Sequence, residues 1–167
     1  MKKIAAIVAC TGILSISSLY ADTIPNNLYV GGGFNVDGVP SAYTTGVGME
    51  LKVGAHLDQI LPRLGVEAEY TGSLMDPKNP NNHNINIQTL GGYVTYDIYF
   101  RNSPIFVRPR FGVVLPNLGD KINSRDARLS AGADVGINIS KSVSAYIGYT
   151  NISEVIDNYT VGIEYNF

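Results

Sequence analysis

The chain has 167 residues, 45% hydrophobic and 16% charged, with a formal net charge of −2 and a mean hydropathy of +0.07. That length suits one domain with its own core. A single Cys and a mildly acidic balance exclude a disulfide scaffold, a Cys-based zinc site and a basic nucleic-acid surface.

The N-terminus reads as an export signal. Lys2 and Lys3 precede an apolar run from Ile4 to Ile16, and small residues follow at Leu19-Tyr20-Ala21. Cleavage near Ala21 leaves residues 22–167 and removes Cys10, whose "IVAC" context is too close to the lysines for a lipoprotein box. Past this segment no window offers the roughly 18 apolar residues of a spanning helix. Any membrane role must therefore come from strands, which hide apolarity in alternation.

From Leu28 onward the pattern has period two. Leu28, Val30, Gly32, Phe34 and Val36 alternate with Tyr29, Gly31, Gly33 and Asn35. Val47 to Leu57 sets Val47, Met49, Leu51 and Val53 against Gly48, Glu50, Lys52 and Gly54, with His56 on the same side as these. Leu64, Val66, Ala68 and Tyr70 alternate with Gly65, Glu67, Glu69 and Thr71, and Leu90 to Ile98 sets Val94 and Tyr96 against Tyr93 and Asp97.

The fifth segment opposes Ile105, Val107, Pro109, Phe111 and Val113 to Phe106, Arg108, Arg110 and Gly112. Proline inside a strand removes a ladder donor, so a local bulge is expected at Pro109. The sixth sets Ala127, Leu129, Ala131, Ala133, Val135, Ile137 and Ile139 against Arg128, Ser130, Gly132, Asp134, Gly136 and Asn138. The seventh runs Val143 to Tyr149, and the eighth, "YTVGIEYNF", alternates Tyr159, Val161, Ile163, Tyr165 and Phe167 with Thr160, Gly162, Glu164 and Asn166.

Connections alternate in length: Asp58–Pro62, Phe100–Pro104 and Ser140–Ser142 are tight. Asp37–Ala42, Ser73–Asn84, Pro116–Asp126 and Asn151–Asp157 are mostly longer and rich in turn formers. This parity predicts an all-β, eight-stranded, antiparallel up-and-down meander with one short-turn end and one long-loop end. The stretch "LDQILPRL" is read as a strand-to-strand turn rather than a helix.

Alternation alone fits a soluble lipocalin-like barrel or a two-sheet sandwich as well as a membrane barrel. The polar face decides between them. It mixes glycine with large charged groups, a mixture that weakens a solvated sheet but suits a narrow lumen filled by side chains. The acids there are Glu50, Glu67, Glu69, Asp97, Asp134 and Glu164, and the bases are Lys52, Arg108, Arg110 and Arg128. They nearly balance, as buried ions must. The apolar face carries no charge in any segment, as lipid demands. Tyr70, Tyr96, Tyr149, Tyr159, Tyr165 and Phe167 lie toward strand ends, where aromatic girdles form.

The export signal, eight alternating segments and terminal "YTVGIEYNF" resemble the small outer-membrane β-barrels of the OmpA, OmpX and opacity-protein type. The resemblance implies an outer-membrane location, contact with lipids and lipopolysaccharide, and periplasmic chaperones and the barrel-assembly machinery as partners in biogenesis. It also implies that Tyr159, Val161, Ile163, Tyr165 and Phe167 form the assembly signal, and that the longer loops face outward. Those loops are shorter than in opacity-type adhesins, and the peptidoglycan-binding domain that OmpA adds is not expected here.

The resulting reading is a non-enzymatic, monomeric barrel with a lumen plugged by an ion-pair network and with surface loops open to a ligand. Cofactors and metals are not expected, since loop "DPKNPNNHNIN" offers only Asp76 as an acid and "GGGF" lacks the Lys-Ser/Thr of a phosphate loop. A narrow or gated channel is the main alternative. A lipid A-modifying enzyme is the other: neither His56 nor His83 has a serine within two residues.

Overall fold

The computed structural model describes residues 27–38, 44–78, 86–117, 126–153 and 156–167. The expected signal segment, His83 and most of the longer loops lie outside these residues. Eight strands follow in chain order: β1 (Leu28–Gly38), β2 (Gly46–His56), β3 (Leu64–Met75), β4 (Gln88–Tyr96, resuming as Ile98–Tyr99), β5 (Ile105–Asn117), β6 (Arg128–Asn138), β7 (Val143–Ser153) and β8 (Ile156–Asn166). Each pairs antiparallel with its sequence neighbours, and β1 pairs with β8 from Tyr29↔Asn166 to Gly38↔Asp157. The meander is closed, so no strand edge is left open.

The stagger of the barrel can be read from the pairings. Walking from Gly32 through Leu51, Tyr70 and Leu90 leads to Leu115 on β5. The opposite walk through Ile163, Ala145 and Ile137 leads to Ile105, ten positions away on the same strand. Eight strands with that stagger tilt by about 40° to the barrel axis. Strands of 11 residues at about 3.3 Å each then rise about 28 Å, enough for an apolar band of about 25 Å.

The alternation puts the apolar residues outside. Phe34, Val161, Ile147, Leu129, Phe111 and Ile163 are all more than half exposed. Their neighbours at the other parity (Asn35, Thr160, Ser130, Arg110 and Glu164 among them) are buried inside the barrel. A soluble barrel would show the reverse, with the apolar side chains enclosed.

Three tight turns join strands at one end. In the first, the Leu57 carbonyl accepts from the amides of Ile60 (2.8 Å) and Leu61 (3.1 Å), making a single tightened turn rather than a helix. Arg63 takes φ 71°, and its amide is held by Asp58 Oδ1 at 2.8 Å. Asn102 takes φ 59° in the second turn, a conformation Asn tolerates.

At the other end one expectation is corrected. The stretch Asn151–Asp157 does not form a longer loop, because β7 runs on to Ser153 and β8 begins at Ile156. The ladder absorbs the difference by a register shift between Asn151 and Ser153.

The expected bulge at Pro109 is also absent. Pairing of β5 with β6 keeps one register from Ile105↔Ile137 to Val114↔Arg128. Pairing with β4 keeps one register from Thr95↔Arg110 to Ile98↔Val107. The Asp97 amide donates to Arg63 on the β3 side at 2.9 Å, so the backbone groups of Tyr96 face β5 and meet Pro109. Pro109 has no N–H to give there, and the β4 ladder breaks at Asp97 instead of bulging. Pro109→Ala is expected to restore that donor, so that hydrogen exchange detects a protected amide at position 109. The new bond contributes about 0.5–1.5 kcal/mol. Greater freedom of the unfolded chain offsets about 0.4–1 kcal/mol of that gain, so net stability should barely move.

The barrel lumen as candidate functional site

Among the described residues, Tyr29 from β1, Tyr93 from β4, Phe106 from β5 and Tyr146 from β7 enter the lumen as aromatic side chains. Each faces a glycine on a neighbouring strand. The pairs are Tyr29↔Gly54, Tyr93↔Gly112, Phe106↔Gly136 and Tyr146↔Gly162. A Cβ at Gly54, Gly136 or Gly162 would sit within 2.6 Å of the facing ring. These glycines thus let a ring lie against the wall.

The rings in turn carry the cations. Lys52 Nζ lies 3.7 Å from the centre of Tyr146, and the Arg110 guanidinium 5.0 Å from Tyr93. Arg108 lies 4.5 Å from Tyr29 and 5.3 Å from Phe106. A cation over a desolvated ring face gains about 2 kcal/mol, which offsets part of the cost of burial.

Carboxylates pair with each cation. Arg108 Nε donates to Asp97 Oδ1 at 2.5 Å and its Nη1 to Glu164 Oε2 at 2.6 Å, while the remaining nitrogen reaches both acids at 3.2–3.3 Å. Arg110 donates to Glu67 Oε1 at 2.9 Å, to Glu69 and to Thr150. Lys52 donates to Asp134 Oδ2 at 2.7 Å and lies 3.6 Å from Glu67 and 3.8 Å from Glu164. Tyr29 adds a hydroxyl to Glu67 at 3.0 Å. These groups come from β1 to β8 and meet only because the barrel closes.

Two acids are held by neutral donors alone among the contacts described. Glu50 accepts from the Tyr146 hydroxyl at 2.8 Å and from Thr160 at 2.5 Å. Asp37 accepts from Asn158 at 3.1 Å and Asn35 at 3.3 Å. The near balance of charge expected from sequence is therefore corrected. Among the described residues the buried acids are Asp37, Glu50, Glu67, Glu69, Asp97, Asp134 and Glu164, against Lys52, Arg108 and Arg110. Asp37, expected at the start of a loop, lies instead inside β1 and is buried. Arg128 is half-buried at the start of β6, opposite Val114.

Toward the long-loop end the lumen changes character. Ile87, Val114, Ile152 and Ile156 form a buried apolar cluster at lumen-facing positions of β5, β7, β8 and the approach to β4. Ile87 is pinned there by Ser73, whose amide donates to the Ile87 carbonyl (2.9 Å) and whose hydroxyl accepts from the Ile87 amide (3.2 Å). This aliphatic layer escaped sequence reading. Its signal was apolar residues at lumen parity, as in "VVL" and "NISEVI".

At the short-turn end His56 packs against Tyr29, ring centres 5.1 Å apart, with Nδ1 3.6 Å from Asp97. Among the described residues no group of three or more His, Cys, Asp and Glu is arranged to hold a metal.

The closed barrel with lipid-facing apolar residues and an ionic interior matches one family. Residues 6–167 fit the family described as outer membrane protein beta-barrel domain. The chain belongs to that family. It is an outer-membrane protein. A search of curated proteins found no match.

Solved barrels share the fold of this family member. Neisserial surface protein A (NspA) has 14% identity and a TM-score of 0.55, covering 84% of this chain and 96% of its own. Ail, the attachment invasion locus protein of Yersinia pestis, has 12% identity and a TM-score of 0.56, covering 86% and 100%. The N-terminal β-barrel domain of Pseudomonas aeruginosa OprF has 11% identity and a TM-score of 0.57, covering 84% and 98%. At these identities the likeness concerns the fold.

Proposed function

We propose that this outer-membrane barrel is a closed, non-conducting envelope component that acts through its outer surfaces. The observation that carries the reading is the packing of side chains inside the wall. Aromatic rings and Arg108 lie toward the short-turn end, the Lys52 and Arg110 ion pairs in the middle, and an aliphatic layer above them. An eight-stranded wall leaves little room beyond such side chains. The lipid-facing wall would contact lipids and lipopolysaccharide, and the loops would meet surface ligands. Ail, a barrel of similar fold, has been solved with the heparin analogue sucrose octasulfate, which supports an external ligand here.

The barrel would act as a monomer, since its wall closes within one chain. Tyr159, Val161, Ile163, Tyr165 and Phe167 would serve as the signal by which chaperones and the assembly machinery take up β8. A catalytic role is disfavoured by His56, which is engaged by Tyr29 and Asp97 inside the barrel and away from lipid.

The test is single-channel recording of purified protein in planar bilayers. No conductance steps are expected; discrete openings in the wild type would remove the closed-barrel reading. The second reading, a gated channel, is favoured by the excess of buried acids. It predicts that any openings are cation-selective, which the reversal potential would report.

A further inference from the structure

We infer that the three short turns form a rim that binds the anionic headgroups of phospholipids. Each turn pairs an exposed apolar side chain with an exposed cation. In the β2–β3 turn, Ile60 is 76% exposed and Leu61 49%, with Arg63 close behind. In the β4–β5 turn Phe100 is 52% exposed and is followed by exposed Arg101. In the β6–β7 turn Ile139 is 66% exposed, two positions before exposed Lys141.

The topology brings all three turns to one end of the barrel. Exposed apolar side chains gathered at one end, rimmed by polar groups, mark a surface that meets a membrane or a partner. Cations beside them point to a cover that is oily below and negatively charged above. A leaflet of anionic phospholipid has that layering, and each Lys or Arg near such a surface is attracted to it.

Acid at this end does little to cancel the charge. Asp58 is the exposed acidic side chain of these turns, and its Oδ1 already accepts the Arg63 amide. Asp97 is buried on Arg108. The described residues of the long-loop end are different: Asp76, Asp126 and Asp157 accompany Lys78 and Arg128. The proposal extends the lipid contact proposed above and is independent of whether the lumen conducts.

The test uses the full barrel folded in phosphatidylcholine vesicles, probed with spin-labelled phosphatidylglycerol and spin-labelled phosphatidylcholine. Phosphatidylglycerol is expected to associate roughly threefold more strongly or better at low salt. The preference should shrink as ionic strength rises. The triple variant R63Q/R101Q/K141Q should bring the two lipids to parity, while K78Q at the other end leaves the preference intact. All four side chains are exposed, and heat-modifiable gel mobility verifies that each variant is folded. Equal association of both lipids with the wild type overturns the proposal and leaves the rim to a protein partner. Loss of the preference in K78Q, or its survival in the triple variant, overturns it as well.

Discussion

Arg108→Ala is expected to destabilise the barrel by about 3–5 kcal/mol. The substitution strips Asp97 and Glu164 of the guanidinium that binds both at 2.5 and 2.6 Å. What remains near them is weaker: Tyr99 hydroxyl and His56 for Asp97, and Lys52 at 3.8 Å for Glu164. Arg108→Met, which keeps apolar volume between Tyr29 and Phe106, separates lost packing from lost charge. Adding Asp97→Asn and Glu164→Gln to that variant should recover most of the loss, because a buried ion cluster replaced as a whole is nearly neutral. The chain has no Trp, so denaturant unfolding in lipid vesicles is best followed by circular dichroism. A loss below about 1 kcal/mol for Arg108→Ala would mean that the lumen is wet enough to solvate both acids.

Val161→Arg should be the most damaging change on the outer wall. Val161 is 64% exposed at the centre of β8, flanked by Phe34 on β1 and Ile147 on β7. An arginine at mid-membrane costs about 2–4 kcal/mol, falling to about 0–1 near the interface. Val36→Arg, near the long-loop end of β1, should therefore be tolerated far better. Equal stability of the two variants in vesicles would contradict a lipid-facing outer wall.

The faces of the strands were legible because a period of two leaves only two choices, and charge selects between them. Glu50, Lys52, Glu67 and Glu69 could not all face lipid, so Met49, Leu51, Val66 and Ala68 had to. The partners of those charges were not legible. Lys52 meets Asp134 across 82 positions of sequence, and Tyr146 meets Glu50 across 96. Such contacts depend on stagger, which only the paired backbone reveals. Glycine was legible as space-making beside the charges, and Gly31 does face Lys52, Gly132 faces Arg110 and Gly148 faces Asp134. Not legible was that Gly54 and Gly136 also accommodate the rings of Tyr29 and Phe106, over which a cation lies.

Pro109 shows a different limit. Its missing donor was readable, yet the direction in which that donor was missed depends on which strand its nitrogen faces. Ile87, Val114, Ile152 and Ile156 were hidden because Ile152 and Ile156 fall in a stretch that reads as loop, Ile87 lies just ahead of the fourth segment, and Val114 follows another valine. A lone apolar residue at lumen parity looks like noise until four of them converge.

The seam between β1 and β8 bears on how the chain reaches its native state. It joins Tyr29 to Asn166 and Asp37 to Asn158, so the loop it closes is almost the whole domain. Contacts of such high order form late and slowly. Until they form, two strand edges with unpaired amides face either lipid or water, neither of which the finished wall tolerates. Folding should therefore be nearly all-or-none, with no stable half-barrel. A chain whose last strand is withheld has no partial product to fall back on.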